Sequence, residues 1–103
     1  MFVEQKSDLT MNIFTRTITD KNGNHLYLTS KEFDLFYFLY SYRGQVFTKE
    51  QLYENVWGYD YAPDAKNLIS FIRKLRKKID PAPDKPQYII TVWGVGYKFA
   101  KDI

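Results

Sequence analysis

The chain of 103 residues is long enough for one domain with a single core, and its net charge of +3 is too small to identify a partner. It contains no cysteine, which excludes a disulfide framework, a thiolate nucleophile and a Cys-ligated zinc. With 45% hydrophobic and 18% aromatic residues the composition is that of a folded protein, and no apolar run approaches the roughly 18 residues of a membrane span. We expect a cytoplasmic protein with no cofactor and no membrane partner.

The first 28 residues are predicted to form a small antiparallel sheet. Runs of β-branched or alternating apolar residues indicate strands around 9–13, 15–19 and 26–28, and residues 2–4 are a weaker fourth candidate. In the first run we expect Leu9, Met11 and Ile13 to share one face. Asn22-Gly23 predicts the turn before the last of these strands, because both residues tolerate the positive φ of a tight hairpin.

The segment from Thr29 to Glu32 predicts the start of a long helix. It has the spacing of a capping box, in which the Thr29 side chain accepts from the Glu32 amide while the Glu32 carboxylate accepts from the Thr29 amide. The helix extends to about Tyr42 and is apolar almost all round, which is typical of a helix in the middle of a core. Gly44 is expected to end it.

A second capping box, Thr48-Lys49-Glu50-Gln51, begins a short helix. We expect this helix to bury Leu52, Val56 and Trp57. The sequence from Gly58 to Pro63 has the composition of a loop.

A third helix is predicted from its N-cap, Asp64, to Ile79. One side is an apolar stripe formed by Leu68, Ile72, Leu75 and Ile79, and the opposite side carries Lys66, Ser70, Arg73 and Lys77, flanked by Asn67 and Lys74. Residues 64–79 hold six basic residues against one Asp, a balance of +5, so the other 87 residues sum to −2. Such a concentration of positive charge indicates an anionic partner, nucleic acid first.

The chain ends in a predicted hairpin. The proline-rich stretch 80–86 breaks the third helix, residues 88–93 and 97–99 have strand composition, and Gly94-Val95-Gly96 forms the turn between them. We therefore predict one α+β domain spanning 1–103, a winged helix-turn-helix with an N-terminal sheet at 1–28, three helices within 29–79 and a wing at 87–100. A helix of this kind fits the major groove of duplex DNA.

Five ordered motifs carry a resemblance to a known family. They are Leu28-Thr29-x-x-Glu32-Phe33-x-Leu35, Gly44-x-Val46, Leu52-x-x-x-Val56-Trp57-Gly58, Ile72-Arg73-x-Leu75-Arg76-x-Lys78-Ile79 and Tyr88-Ile89-x-Thr91-Val92-x-Gly94-x-Gly96-Tyr97. From about Leu9 to Phe99 the chain resembles the DNA-binding effector domain of the OmpR/PhoB class of bacterial two-component response regulators. The resemblance implies a four-stranded N-terminal sheet and sequence-specific binding to direct repeats in promoter DNA as head-to-tail pairs. A receiver domain would precede the domain in a full-length regulator.

The resemblance also implies roles for individual residues. The phosphate-contacting positions of the family correspond to Lys49, Trp57, Lys66, Arg73, Arg76, Thr91 and Tyr97. Its base-reading positions correspond to Asn67, Ser70 and Lys74. We add Lys77 from its place on the basic face and Trp93 from its place at the wing tip. Tyr59, Asp60 and Tyr61 lie in the loop that contacts RNA polymerase in some members.

Three positions depart from the family pattern. The third helix carries Ile69 and Phe71 where an Asp and a His are common, and we expect this to remove polar groups from the flanks that face the groove. The wing tip carries Trp93 in place of an Arg that enters the minor groove. Three roles are open for Trp93: it lies flat on the sugars of DNA, it wedges at a base step, or it packs on its own domain.

Two other classes of function fit the sequence less well than DNA binding. An enzyme has no support in the sequence, since His25 is the single histidine and no nucleophile triad, P-loop or dinucleotide fingerprint is present. The alternative is a winged-helix module that binds protein through its aromatic surface or through Trp93, with DNA binding weak or lost. The basic residues opposite the apolar stripe argue against that alternative.

Overall fold

The computed structural model describes residues 9–20, 22–58, 65–80 and 88–100, apart from the side chains of 65 and 66. Within these ranges the elements follow the predicted order. They are β1 (Thr10–Asn12), β2 (Thr17–Thr19), β3 (His25–Leu26), α1 (Ser30–Ser41), β4 (Phe47–Thr48), α2 (Lys49–Leu52, continued by a π-helical turn over Tyr53–Trp57), α3 (Ala65–Ile79), β5 (Ile89–Val92) and β6 (Gly96–Phe99).

The first sheet is antiparallel, in the order β1-β2-β3. Ile18 of β2 is fully buried, which anchors the sheet to the core. The predicted turn is confirmed: Gly23 has a φ of +84°, and the Asp20 carboxylate accepts from the amides of Asn22 and Asn24. The fourth candidate strand, at residues 2–4, lies outside the described residues.

Two details of the first sheet were predicted wrongly. Ile13 does not continue the inward face of β1, because the strand ends at Asn12 and Ile13 is exposed in the turn that follows. The Asn12 side chain accepts from the amides of Phe14 and Thr15, and it thereby folds the chain back before Ile13 can extend the strand. The third strand is also shorter than expected, since it ends at Leu26.

The capping box of α1 is present as predicted. Thr29 Oγ1 accepts from the Glu32 amide at 3.3 Å, and Glu32 Oε1 accepts from the Thr29 amide at 2.8 Å. The helix buries its apolar residues Phe33, Leu35, Phe36 and Leu39, and it ends beside Gly44, whose φ is +85°. The central position predicted for this helix is confirmed.

The second capping box is also formed, with Thr48 Oγ1 accepting from the Gln51 amide and Gln51 Oε1 accepting from the Thr48 amide. The π-helical turn that follows buries Tyr53 and Val56 and leaves Trp57 half-buried. It ends at Gly58, which has a φ of +104°.

Helix α3 presents to the core the four residues that its periodicity indicates. Leu68, Ile72, Leu75 and Ile79 are all buried, as predicted. The helix cap expected at Asp64 lies outside the described residues.

The wing is a three-stranded sheet in the order β4-β6-β5, where the sequence predicted a two-stranded hairpin. Phe47 pairs with Tyr97, and Thr48 pairs with Gly96. The approach is so close at Gly96 that a Cβ there would lie 1.9 Å from the Phe47 carbonyl oxygen. The β5–β6 hairpin is therefore joined by backbone hydrogen bonds to β4, the strand that directly precedes α2.

A buried carboxylate joins α1 to α3. Glu32 is 3% exposed, and its Oε1 accepts from Lys78 Nζ at 2.6 Å as well as from the Thr29 amide. Burial raises the pKa of Glu32, but the hydrogen bonds from Lys78 and Thr29 and the Lys78 charge together bring that pKa below its ordinary value. The ionised form of Glu32 is thus stabilised by the fold.

We expect Gly96→Ala to lower the free energy of unfolding by about 3 kcal/mol, because β4 and β6 must separate to admit a methyl group. Gly94→Ala is the matched control: Gly94 has a φ of +78° but nothing lies within 4 Å of its Cβ position. Its cost is the backbone strain alone, about 1 kcal/mol. Urea unfolding of the two variants measures both values, and equal losses would contradict the close approach.

We expect Glu32→Gln to lower the free energy of unfolding at pH 7 by about 1–2 kcal/mol, less than for a fully buried pair because the Lys78 side chain is 38% exposed. The pKa of Glu32 is lower in the folded state than its ordinary 4.5. Its contribution is therefore complete above pH 4.5 and is lost as the pH falls through the folded pKa.

The free energies of unfolding of wild type and Glu32→Gln are measured by urea unfolding at several pH values between about 7 and 3. The stability gap between wild type and Glu32→Gln should narrow below pH 4.5. A gap that stays constant over the range would show that the Glu32 charge does not contribute.

Candidate nucleic-acid interface

The solvent-exposed face of α3 lies opposite its buried stripe. It carries Asn67, Ser70, Arg73, Lys74 and Lys77, the residues that helical spacing placed there. The backbone of Lys66 continues this helix toward its start, while the side chain of Lys66 is outside the described part of the structure. The exposed face offers hydrogen-bonding groups in its first half and cations in its second.

An open groove of about 720 Å³ separates α3 from the wing. The helix contributes Ile69, Arg73, Arg76 and Lys77, the wing contributes the run from Thr91 to Tyr97, and α2 contributes Lys49 and Glu50. The fold therefore brings together most of the residues to which the sequence assigned backbone contacts. The carboxylate of Glu50 was not anticipated there.

Arg76 spans the base of this groove and links α3 to the wing. Its Nε and Nη2 donate to the Ile89 carbonyl at 3.1 and 2.7 Å, and Nη2 also donates to Thr91 Oγ1 at 2.8 Å. The guanidinium lies 5.8 Å from the centre of the Tyr97 ring. The family resemblance implies a separate phosphate contact for Arg76, Thr91 and Tyr97; in the structure these residues also contact one another.

Burial lowers the pKa of the half-buried Arg76 guanidinium, against the opposite influence of Tyr97 and Asp80. The group nevertheless stays charged at neutral pH, because the pKa of arginine lies far above 7. Since Thr91 Oγ1 accepts from Arg76, the hydroxyl hydrogen of Thr91 can be donated elsewhere. A phosphate oxygen at this place would meet a fixed charge and an oriented hydroxyl.

The charge available on α3 is smaller than its composition indicates. The Lys78 ammonium pairs with the buried Glu32 carboxylate, and Arg76 is bound to the wing backbone. Among the described side chains of α3, the exposed cations that remain on the predicted DNA-binding face are Arg73, Lys74 and Lys77. The balance of +5 counted from the sequence therefore overstates the field of this face.

Trp57 lies on the other side of α3. Its ring contacts Tyr53 at 5.3 Å and Phe71 edge-on at 5.1 Å, and it borders a smaller hollow with Lys31, Asn67, Ser70 and Lys74. The expected inward packing of Trp57 is thus observed. Phe71 was expected on a flank of α3 that faces the DNA groove. In the structure it is half-buried against Trp57. Of the two helix departures, Ile69 alone is exposed beside the wing groove.

Trp93 at the wing tip is 88% exposed, so the alternative in which it packs on its own domain is wrong. The loop residues Tyr59, Asp60 and Tyr61 lie outside the described residues. Among residues 9–20, 22–58, 65–80 and 88–100, no cluster of His, Cys, Asp or Glu has the composition to hold a metal ion. No helix in those ranges is long and apolar enough to cross a membrane.

A three-helix core with an exposed polar and basic third helix beside a β-sheet wing defines the winged helix-turn-helix class. The model of the family described as "Transcriptional regulatory protein, C terminal" matches residues 23–99. The chain belongs to this family: it is a DNA-binding effector domain of the OmpR/PhoB class of response regulators.

Solved structures agree with this assignment. The DNA-binding domain of Bacillus subtilis CssR is similar with a TM-score of 0.78 and 31% identity, covering 88% of this chain and 98% of that one. The Klebsiella pneumoniae RstA DNA-binding domain, solved with the RstA box, has a TM-score of 0.84 and 27% identity over 98% of this chain and 99% of its own. Thermotoga maritima DrrB, an OmpR/PhoB homologue, has a TM-score of 0.84 and 33% identity over 95% of this chain but only 44% of its own.

We expect Arg76→Ala to lower the free energy of unfolding by about 2 kcal/mol, because it leaves the partly buried Ile89 carbonyl without its donor. Arg73→Ala is the control, since Arg73 is an exposed arginine one turn earlier and should change stability by less than about 0.5 kcal/mol. Amide exchange of β5 should accelerate in the first variant only. Equal stability of the two variants would show that Arg76 does not fix the wing.

Proposed function

We propose that the domain binds promoter DNA with α3 in the major groove and with the β5–β6 hairpin along the adjoining backbone and minor groove. The observation that supports this mode is the placement of Arg73, Lys74 and Lys77 on one exposed helix face that continues into the wing groove. A helix of this width fits the major groove, and cations on its face neutralise phosphates and release counterions.

Contacts to the DNA backbone and contacts to base edges come from different residues in this mode. Phosphates are bound by Lys49, Trp57, Lys66, Arg73, Arg76, Lys77, Thr91 and Tyr97. Base edges are read by Asn67, Ser70 and Lys74. These residues lie on the side of the exposed face that is away from the wing, next to the hollow at Trp57. Six of the eight phosphate-binding residues line the wing groove, and this shared location supports their assignment to the DNA backbone.

The regulatory setting is a further part of the proposal. The chain covers less than half of DrrB, a response regulator. We propose that a receiver domain controls pairing of two copies on direct repeats, that Tyr59, Asp60 and Tyr61 contact RNA polymerase, and that the protein acts in the cytoplasm.

A second candidate, binding of a protein partner, draws support from exposed aromatic residues. Phe14 and Tyr27 of the first sheet region and Trp93 of the wing are all largely exposed. They lie on separate elements, however, whereas the exposed face of α3 carries the cations Arg73, Lys74 and Lys77 together.

Fluorescence anisotropy with ~30-bp duplexes of random sequence tests the DNA mode, and about five neutralised phosphates should give a log–log salt slope of about −4 to −5. Arg73→Ala should weaken binding to all duplexes alike and reduce the slope by about 1. On a duplex selected from a random pool, Lys74→Ala should instead lose ~1–3 kcal/mol of discrimination against random DNA.

Arg43→Ala is the matched control, because Arg43 is a cation stacked on Tyr40 at the end of α1 and borders neither hollow. It should leave the affinity and the slope unchanged. Absence of binding to random duplexes at low salt would falsify the DNA mode and favour the protein-binding candidate.

A further inference from the structure

The tip of the wing is an apolar surface without a charge. Residues 92–96 read Val-Trp-Gly-Val-Gly, in which the indole N–H of Trp93 is the single polar side-chain group. Trp93 is 88% exposed and Val95 is 52% exposed. Trp93 and Val95 share one turn and line one groove, so they form an apolar patch and not a single exposed side chain; such a patch indicates a surface that another molecule covers.

The tip is presented on a rigid support. The Val95 amide donates to the Val92 carbonyl at 3.0 Å and closes the turn, and Gly94 supplies the positive φ that the turn needs. Below the turn, β6 is paired on both sides, with β5 and with β4. Because the support is already ordered, an indole placed here loses little backbone freedom when it is buried.

The surroundings of the tip indicate which molecule covers it. Trp93 and Val95 line the same groove as Arg73 and Lys77, so the apolar tip stands at the border of a cationic surface. A DNA strand held by these cations brings its sugars and base edges to the tip. An acidic protein surface would satisfy the cations but would offer little to an uncharged indole.

We propose that Trp93 is a wedge that enters the minor groove and partly unstacks a flexible base step. This inference rests on the proposed function and adds a specificity element to it. Apolar side chains inserted at base steps kink the duplex, and pyrimidine–purine steps such as TA yield most easily. Trp93 therefore selects DNA by its deformability, whereas a cation at the tip would select the narrow, strongly negative groove of an A-tract.

Selection of a deformable step and selection of a narrow minor groove are distinguished with two ~30-bp hairpin-closed duplexes of identical base content. One duplex alternates T and A, and the other is an uninterrupted A-tract. Both present the same acceptors in the minor groove, but only the first contains TA steps inside the repeat. The ratio of their dissociation constants is measured by anisotropy for wild type, Trp93→Ala and Trp93→Arg. Comparing this ratio between variants cancels the contribution of α3 in the major groove.

We expect wild type to favour the alternating duplex, Trp93→Ala to reduce that preference by about fivefold, and Trp93→Arg to shift it toward the A-tract. Phe14→Ala is the matched control, since Phe14 is an aromatic residue 91% exposed in the turn after β1 and does not line the groove. It should leave the ratio unchanged. Circular dichroism should show all variants folded, because neither side chain is buried.

A second measurement distinguishes a wedge from a ring lying on sugars. With 2-aminopurine replacing one central adenine of the alternating duplex, unstacking raises its fluorescence. We expect a rise with wild type and not with Trp93→Ala. Affinity that depends on Trp93 without any rise would overturn the wedge.

Equal ratios for wild type and Trp93→Ala would also overturn it, while binding that still depends on Arg73 would leave the proposed function intact. If wild type bound neither duplex at low salt, both proposals would fall together.

Discussion

The guanidinium of Arg76 sets the spacing between α3, the helix proposed to enter the major groove, and the hairpin beside it. Two of its nitrogens donate to the Ile89 carbonyl at the start of β5, and one of them also reaches the Thr91 hydroxyl. A helix and a hairpin engage one duplex together only if their separation matches the spacing of neighbouring grooves. From the other side, the backbone of Gly96 lies directly against that of Phe47, so the β5–β6 hairpin is held between α3 and β4.

Much of this fold could be predicted from the sequence because its signals are short in range. A capping box needs residues three apart, and the buried stripe of α3 needs only the helical repeat, so both predictions were confirmed. The same repeat correctly placed Ser70 and Arg73 on the exposed face. At the level of the site, the sequence therefore predicted which side of α3 is exposed to solvent.

The errors arose where contacts join distant segments. Strand β4 consists of two residues, of which Thr48 is also the N-cap of α2, and only their pairing with β6 makes them a strand. The half-burial of Phe71 was not predicted, because its partner, Trp57, belongs to a different helical turn that no local pattern connects to it. Lys78 was counted among the cations of α3, yet it pairs with Glu32, a carboxylate 46 residues earlier in the chain. The net charge of a segment does not show which of its charged side chains form ion pairs with distant residues.

The pair formed by Glu32 and Lys78 has an evolutionary consequence. Glu32 closes the cap of α1 and is buried, so a lineage that replaces Lys78 by an uncharged residue leaves a carboxylate inside the protein without its cation. A lineage that first replaces Glu32 by Gln keeps the cap acceptor and releases Lys78 to solvent. The two positions are therefore expected to change in a preferred order, with position 32 first.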